Sequence, residues 1–395
     1  MKYADRTQRM KASEIREILK ITQDPEVISF AGGLPSPHSF PVKMIEKITD
    51  RVLERHGAQA LQYSPTEGLK DLRELLIKRM KKKGIKCNLN EIIITTGSQQ
   101  ALDLTAKIFF NPGDNVIVEC PTYLGALTAF NAYQPNYIPI SMDENGMKIE
   151  ELENKLKETK GKPIDFIYTV PTFQNPSGVT MSLERRKQIL EIARKNNLLI
   201  LEDDPYSELR YSGKFVAPIK SLDKHNIVIY TGTFSKILSP GFRLGWVIAN
   251  EEAIKKMVTS KQGVDLCTNT FVQWIAEEYL RSGLIDKQIP KIRKMYKKKR
   301  DLMLKALKKH FPKGTKWTEP DGGMFLWLTL PGHINTKKMF QEAIKEKVAY
   351  VHGAAFCVDG KGYNAMRLNF SNAEDDKIEI GIKRLAKIIK KKLNP

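Results

Sequence analysis

The stretch Thr231-Gly232-Thr233-Phe234-Ser235-Lys236, followed by Ser239-Pro240-Gly241-Phe242-Arg243-Leu244-Gly245-Trp246, decides how the chain is read. A β-rich run over 227–230 ends in small and hydroxyl residues, then a single lysine. Seven residues later an arginine follows a Pro-Gly turn, and a second apolar run covers 244–249. Hydroxyls, a lysine and an arginine gathered at a strand end suit an anion, such as a phosphate, beside a carbonyl that an amine can capture. Lys236 is the candidate nucleophile. Thr233, Ser235 and Arg243 are candidate phosphate ligands, because a guanidinium can grip phosphate oxygens in pairs. A Ser-Lys pair alone means little in a chain with 65 lysines and arginines, most of them solvated. The reading depends on what the rest of the chain adds.

At 395 residues the chain can bury a large core and is expected to hold two structural units. No apolar run reaches the roughly 18 residues that span a bilayer. The charged start, Met1-Lys2-Tyr3-Ala4-Asp5-Arg6, has no apolar stretch behind it, so a cytoplasmic location is expected. The net charge of +20 comes from lysines mixed with glutamates along helical faces. That pattern predicts a solvated surface with no nucleic-acid site and no membrane contact. Cys87, Cys120, Cys267 and Cys357 lie far apart in sequence and form no C-x-x-C pair. They read as reduced thiols, with no disulfide frame and no metal site.

Outward from the central stretch, other segments carry chemistry. Gly32-Gly33-Leu34-Pro35 makes an extended loop whose backbone another group can approach closely. Gln62-Tyr63-Ser64-Pro65 is a loop before a helical run over 69–80, and Tyr63 by itself reads as a core tyrosine. A β-rich run over 91–96 passes through Gly97-Ser98-Gln99 into an apolar-periodic helix. Exposed N–H groups and the helix dipole make that turn an anion site, with Ser98 and Gln99 as ligands. The run 115–119 closes at Cys120-Pro121-Thr122-Tyr123, placing a flat ring at a strand end. Runs at 136–140 and 164–170 continue a strand–helix alternation that predicts a mostly parallel sheet. Thr172-Phe173-Gln174-Asn175-Pro176-Ser177-Gly178 follows the last of these.

An apolar strand over 198–201 ends in Glu202-Asp203-Asp204-Pro205-Tyr206. Carboxylates there are costly unless paired. Long helical patterns cover 251–280 and 288–309, and Pro320-Asp321-Gly322-Gly323 turns into a further strand. Met366-Arg367-Leu368-Asn369-Phe370 sets one arginine among apolar residues. A buried arginine needs an anion, either a carboxylate of the chain or one brought by a substrate.

Thr-x-Ser-Lys with Pro-Gly-Phe-Arg-Leu-Gly-Trp behind it resembles the cofactor-lysine motif of class I aminotransferases, which use pyridoxal 5′-phosphate. The likeness runs over nearly the whole chain and is nearest the 2-aminoadipate, kynurenine and aromatic amino-acid branch. It implies an α/β fold of type I: a large domain with a mostly parallel seven-stranded sheet flanked by helices, plus a smaller α+β domain. The expected division is an arm and substrate loop at 1–40 packing with the small domain, a cofactor-binding domain at 41–285, and a small domain at 286–395.

The same resemblance implies roles. Lys236 holds the cofactor. Tyr123 stacks on its ring, and Asn175 and Tyr206 meet its phenolic oxygen. Asp203 and Asp204 are rivals for the pyridine nitrogen, and the family spacing Asp-x-x-Tyr selects Asp203. Ser98, Gln99, Thr233, Ser235 and Arg243 surround the phosphate, and Tyr63 reaches the phosphate of the neighbouring subunit in a homodimer with shared sites. Gly33, Asn175 and Arg367 meet substrate, Arg367 through its α-carboxylate. Ser13-x-Ile15-Arg16 resembles the branch's arm, with Arg16 near a donor side chain. Cys120–Pro121 and Asn175–Pro176 are expected to be cis. The implied activity is ping-pong transfer of an amino group from 2-aminoadipate, an aromatic or a broad set of L-amino acids to a 2-oxo acid, with 2-oxoglutarate expected. Rival readings are a β-lyase on the same cofactor and a cofactor-binding transcription regulator.

Overall fold

Successive residues of the central strands belong to two different cores. Val116, Val118, Phe166, Tyr168 and Leu201 pack in the larger one, while Ile117, Ile167 and Ile200 pack in a second. Side chains of a strand alternate between faces, so a strand apolar at every position must be covered on both sides. That is the arrangement in the computed structural model, which describes residues 1–10, 18, 24–159 and 164–393. Strands Ile92–Thr95, Gly245–Ile248, Val228–Thr233, Leu199–Asp204, Ile164–Thr169, Asn115–Cys120, Asn136–Asp143 and Gly146–Met147 lie side by side in that order. The expected seven strands are present, and the eighth is a two-residue edge turned back from its neighbour. Of the seven, Gly245–Ile248 alone runs against the others. The carboxyl ends of the parallel strands therefore open on one side, where ligands of open α/β sheets bind.

A second sheet of four antiparallel strands contains Phe325–Thr329 and Ala365–Asn369, paired so that Trp327 faces Arg367. The long helix Leu284–His310 packs along the last helix, Asp375–Leu393. Ile28–Ser29 pairs in parallel with Val348–Ala349. Among the described residues, no helix is long and apolar enough to cross a membrane.

One expectation is corrected. The helical pattern over 251–280 is two helices, Glu251–Gln262 and Thr270–Arg281. The break has a polar cause. Asp265 accepts hydrogen bonds from Lys261, Thr96 (2.8 Å) and Gln100 (2.8 Å), which ties the connecting loop to the start of helix Gly97–Phe109. Leu266 takes a left-handed φ of 61°, and Asn269 caps the second helix through the Val272 amide at 3.0 Å. Arg16 lies outside the described residues.

Candidate active site

Strand ends and the second sheet converge on a cavity of about 240 Å³. Lining it are Gly33, Ser98, Gln99, Tyr123, Asn175, Asp203, Tyr206, Thr233, Ser235, Lys236, Arg243 and Arg367, each singled out from the sequence. Val170, Pro205, Pro240 and Phe325 join them. Val170 and Pro205 directly follow strands Ile164–Thr169 and Leu199–Asp204, so their position past a parallel strand was the available signal. Phe325 carried no such signal. Tyr63 does not line the cavity and is 76% exposed. Cys120–Pro121 and Asn175–Pro176 are both cis.

The lysine follows strand Val228–Thr233 closely. Its Nζ donates to the Gly33 carbonyl at 3.2 Å. Burial, then the positive charges of Arg367 and Arg243, lower its pKa to about 8. A neutral amine is thus within reach near neutral pH.

Asp203 and Asp204 end one strand and differ completely. Asp204 Oδ2 receives Tyr230 at 2.7 Å, Ser207 at 2.6 Å and Lys83 at 3.2 Å, and Oδ1 receives the Ser207 amide at 3.0 Å. Asp203 Oδ2 receives only Tyr168 at 3.0 Å, and its buried Oδ1 has no partner. Burial raises the Asp203 pKa to about 7; the Tyr168 bond opposes this, while Asp204 and Glu119 add to it. An unpartnered buried carboxylate oxygen lining a cavity fits a ligand N–H donor. Tyr168 was not singled out, because nothing local links it to a residue 35 positions later.

The end of the cavity beside Arg243 is shaped by missing side chains. Gly97 has φ +73°, and a Cβ there would lie 2.8 Å from Arg243 Nη2. A Cβ on Gly245 would meet the Gly97 carbonyl carbon at 2.8 Å and the Ser98 amide nitrogen at 2.9 Å. The Thr233 hydroxyl lies 2.9 Å from Ser235 Oγ and accepts the Ser235 amide at 3.1 Å. Helix Gly97–Phe109 begins at this cradle, so amides, hydroxyls and a guanidinium face one small space. The donor set fits a phosphate.

Arg367 is 1% exposed. It donates to Asn175 Oδ1 at 2.9 Å and to the Ala31 carbonyl at 2.6 Å, and its Nε has no partner. Its guanidinium sits 4.3 Å from the Phe325 ring centre and 5.1 Å from that of Phe356. Burial holds its pKa below the ordinary value, with Tyr206 and Tyr123 opposing. Among the described residues its partners are an amide oxygen and a backbone carbonyl, with no carboxylate. Asn175 also donates to the Tyr206 hydroxyl at 3.4 Å, so one amide spans both groups.

The fold is that of the fold-type-I pyridoxal-phosphate enzymes, and neighbouring strands bring Asp203 and Lys236 to one cavity. The family described as "Aminotransferase class I and II" matches residues 28–385, and the chain belongs to it. It is a transaminase that uses pyridoxal 5′-phosphate. The chain is 52% identical to aromatic-amino-acid aminotransferase 1 of Thermococcus litoralis, over 99% of this chain and 94% of that protein. The structure of Pyrococcus horikoshii kynurenine aminotransferase, in complex with PMP, with KYN as substrate and KYA as product, matches with a TM-score of 0.96 at 52% identity, covering 99% and 97% of the two chains. That of α-aminoadipate aminotransferase from Thermus thermophilus, complexed with N-(5′-phosphopyridoxyl)-L-leucine, matches with a TM-score of 0.92 at 37% identity, covering 99% and 98%.

Proposed function

We propose that this transaminase takes its amino group from an aromatic or 2-aminoadipate-type L-amino acid, or from a broad set including both, and passes it to 2-oxoglutarate by a ping-pong route. The names of its relatives support the donor class. The observation that carries the assignment of residues is the single cavity joining Lys236, the partnerless Asp203 oxygen and the partnerless Arg367 nitrogen.

When bound, the cofactor supplies an aldehyde for the amine and a ring that withdraws electrons from the substrate α-carbon. The residues do the rest. Ser98, Gln99, Thr233, Ser235 and Arg243 would hold the cofactor's phosphate. Asp203, with its partnerless Oδ1, would accept the ring N–H, and Tyr123 would hold the ring. Asn175 and Tyr206 would hold its phenolic oxygen. Arg367 grips the α-carboxylate, and the Gly33 loop closes the substrate side. Lys236 Nζ, whose pKa its surroundings lower to about 8, would take the proton from the substrate α-carbon in its neutral form and hold it.

A homodimer is also proposed, with Tyr63 reaching the neighbour's phosphate. Tyr63 and Leu61 are 76% and 75% exposed, and Arg243 is exposed at the cavity rim. The division at 1–40, 41–285 and 286–395 is supported by the Ile28–Ser29 pairing with Val348–Ala349.

The deciding experiment offers 2-aminoadipate, phenylalanine, tyrosine, tryptophan and kynurenine in turn with 2-oxoglutarate. Glutamate should appear in step with the donor's 2-oxo acid. Release of ammonia and pyruvate from a β-substituted donor without any acceptor would replace transamination by β-elimination.

A further inference from the structure

The four cysteines are scattered in sequence, yet folding brings two together. Cys120 Sγ lies 2.9 Å from Cys357 Sγ and 3.6 Å from Asp359 Oδ1. Cys120 closes strand Asn115–Cys120, and Cys357 ends the short helix Gly353–Phe356. The two backbones are already fastened beside the pair, where the Thr122 amide donates to the Phe356 carbonyl at 2.8 Å. Cys120 is buried, Cys357 half-buried and Asp359 exposed. Neither sulfur lines the cavity, so the cofactor chemistry does not use them.

We propose that Cys120 and Cys357 are a modification site: a dithiol that closes to a reversible disulfide on meeting a low-molecular-weight disulfide. The more exposed Cys357 attacks one sulfur of the small disulfide, forming a mixed disulfide and releasing one small thiol. Cys120 then gives its proton to solvent and attacks Cys357 Sγ, expelling the second small thiol. Two protein thiols are oxidised and one small disulfide is reduced to two thiols, so electrons and protons balance. Cys120 donates its S–H to Cys357 Sγ, and that bond with burial holds the Cys120 thiol above its ordinary pKa. Cys357, the more exposed of the two, is therefore the entering sulfur. The sulfurs need to approach by about 0.9 Å to reach bonding distance.

The three groups also invite a metal, since their ligand atoms lie within 4.8 Å of one another. Two thiolates on a tetrahedral zinc stand roughly 3.8 Å apart, given a Zn–S bond of about 2.3 Å. The observed 2.9 Å falls midway between that spacing and a disulfide bond, so zinc capture is kept as an outcome of the test. The crosslink would join the segment carrying Tyr123 to the one carrying Phe356, which packs against Arg367.

The test uses the full chain, reduced, desalted and then incubated with oxidised glutathione. After acid quench, alkylation in denaturant should count two free thiols where the reduced chain has four. Peptide mapping should find the Cys120 and Cys357 peptides joined with no added glutathione. Tm should rise on oxidation and fall back with dithiothreitol. Cys357→Ser and, separately, Cys120→Ser should abolish both the joined peptide and the Tm response. Survival of all four thiols, glutathione left on Cys357 without a crosslink, or one equivalent of zinc shielding both sulfurs would each overturn the proposal. The peptide map of the unsubstituted chain decides even if a variant folds poorly.

Discussion

The strand Leu199–Asp204 ends between two lysine–aspartate neighbourhoods built from the same residue types and set to opposite purposes. In one, Lys83 meets Asp204, with Glu208, Arg79, Ser207 and Tyr230 completing the network. Burial would lower the Lys83 pKa, but Asp204 and Glu208 outweigh it and hold the ammonium charged. Burial would raise that of Asp204, but Lys83 and its other donors hold it below the ordinary value. In the other, Lys236 and Asp203 line a cavity with few partners, and the same burial wins: one falls to about 8, the other rises to about 7. Desolvation acts on both neighbourhoods. Satisfied hydrogen bonds turn it into a rigid strut, and missing ones turn it into a poised amine and acid.

The largest break should come at Lys236. Lys236→Ala is expected to lower kcat by roughly 10²–10⁴-fold or more and to remove the cofactor's lysine-bound absorbance. Near-normal turnover would dissolve the contrast. Lys83→Met should do the reverse: leaving Asp204 buried without its cation costs about 3–5 kcal/mol of stability, read by denaturant unfolding, while the cofactor spectrum is kept. Arg367→Gln should lower kcat/KM for the amino donor about 10–100-fold, as expected for charged hydrogen bonds worth roughly 1.5–3 kcal/mol.

The smallest effects are on pH. Lys236 loses its proton as pH rises through about 8, so capture of pyridoxal phosphate by the cofactor-free chain should accelerate through that value. Arg367→Gln removes a positive neighbour and should move the midpoint upward. The two aspartates contribute to stability with opposite signs. Asp204, depressed, stabilises above the ordinary carboxylate range and loses this as pH falls through its folded pKa. Asp203, raised, costs stability as pH climbs from that range to about 7. Acid titration of Asp204→Asn should therefore show a flatter low-pH limb.

Much of this was legible because the informative residues stand at strand ends beside glycine, proline or hydroxyls. Lys236, Asn175 and the Gly97–Ser98 turn each carry their context within a few positions. Asp203 was chosen over Asp204 by the Asp-x-x-Tyr spacing that the family resemblance implied, and Asp203 is the one that lines the cavity, since neighbours on a strand point to opposite faces. Tyr168, Phe325 and the Cys120–Cys357 pair were not legible. Their meaning lies in partners 35 to 237 positions away, or in packing against Arg367. The helix break after Gln262 was missed for the same reason, since Asp265 is held by residues Thr96 and Gln100.

The pairing of Ile28–Ser29 with Val348–Ala349 also sets a timetable. During synthesis the early strand must wait, unpaired, until nearly the whole polypeptide has left the ribosome. The Ala31 carbonyl that receives Arg367 lies two residues beyond that strand and waits with it. On the roles proposed above, a product ended before Val348 would carry every phosphate-side residue and lack Arg367, so competence would arrive late and all at once.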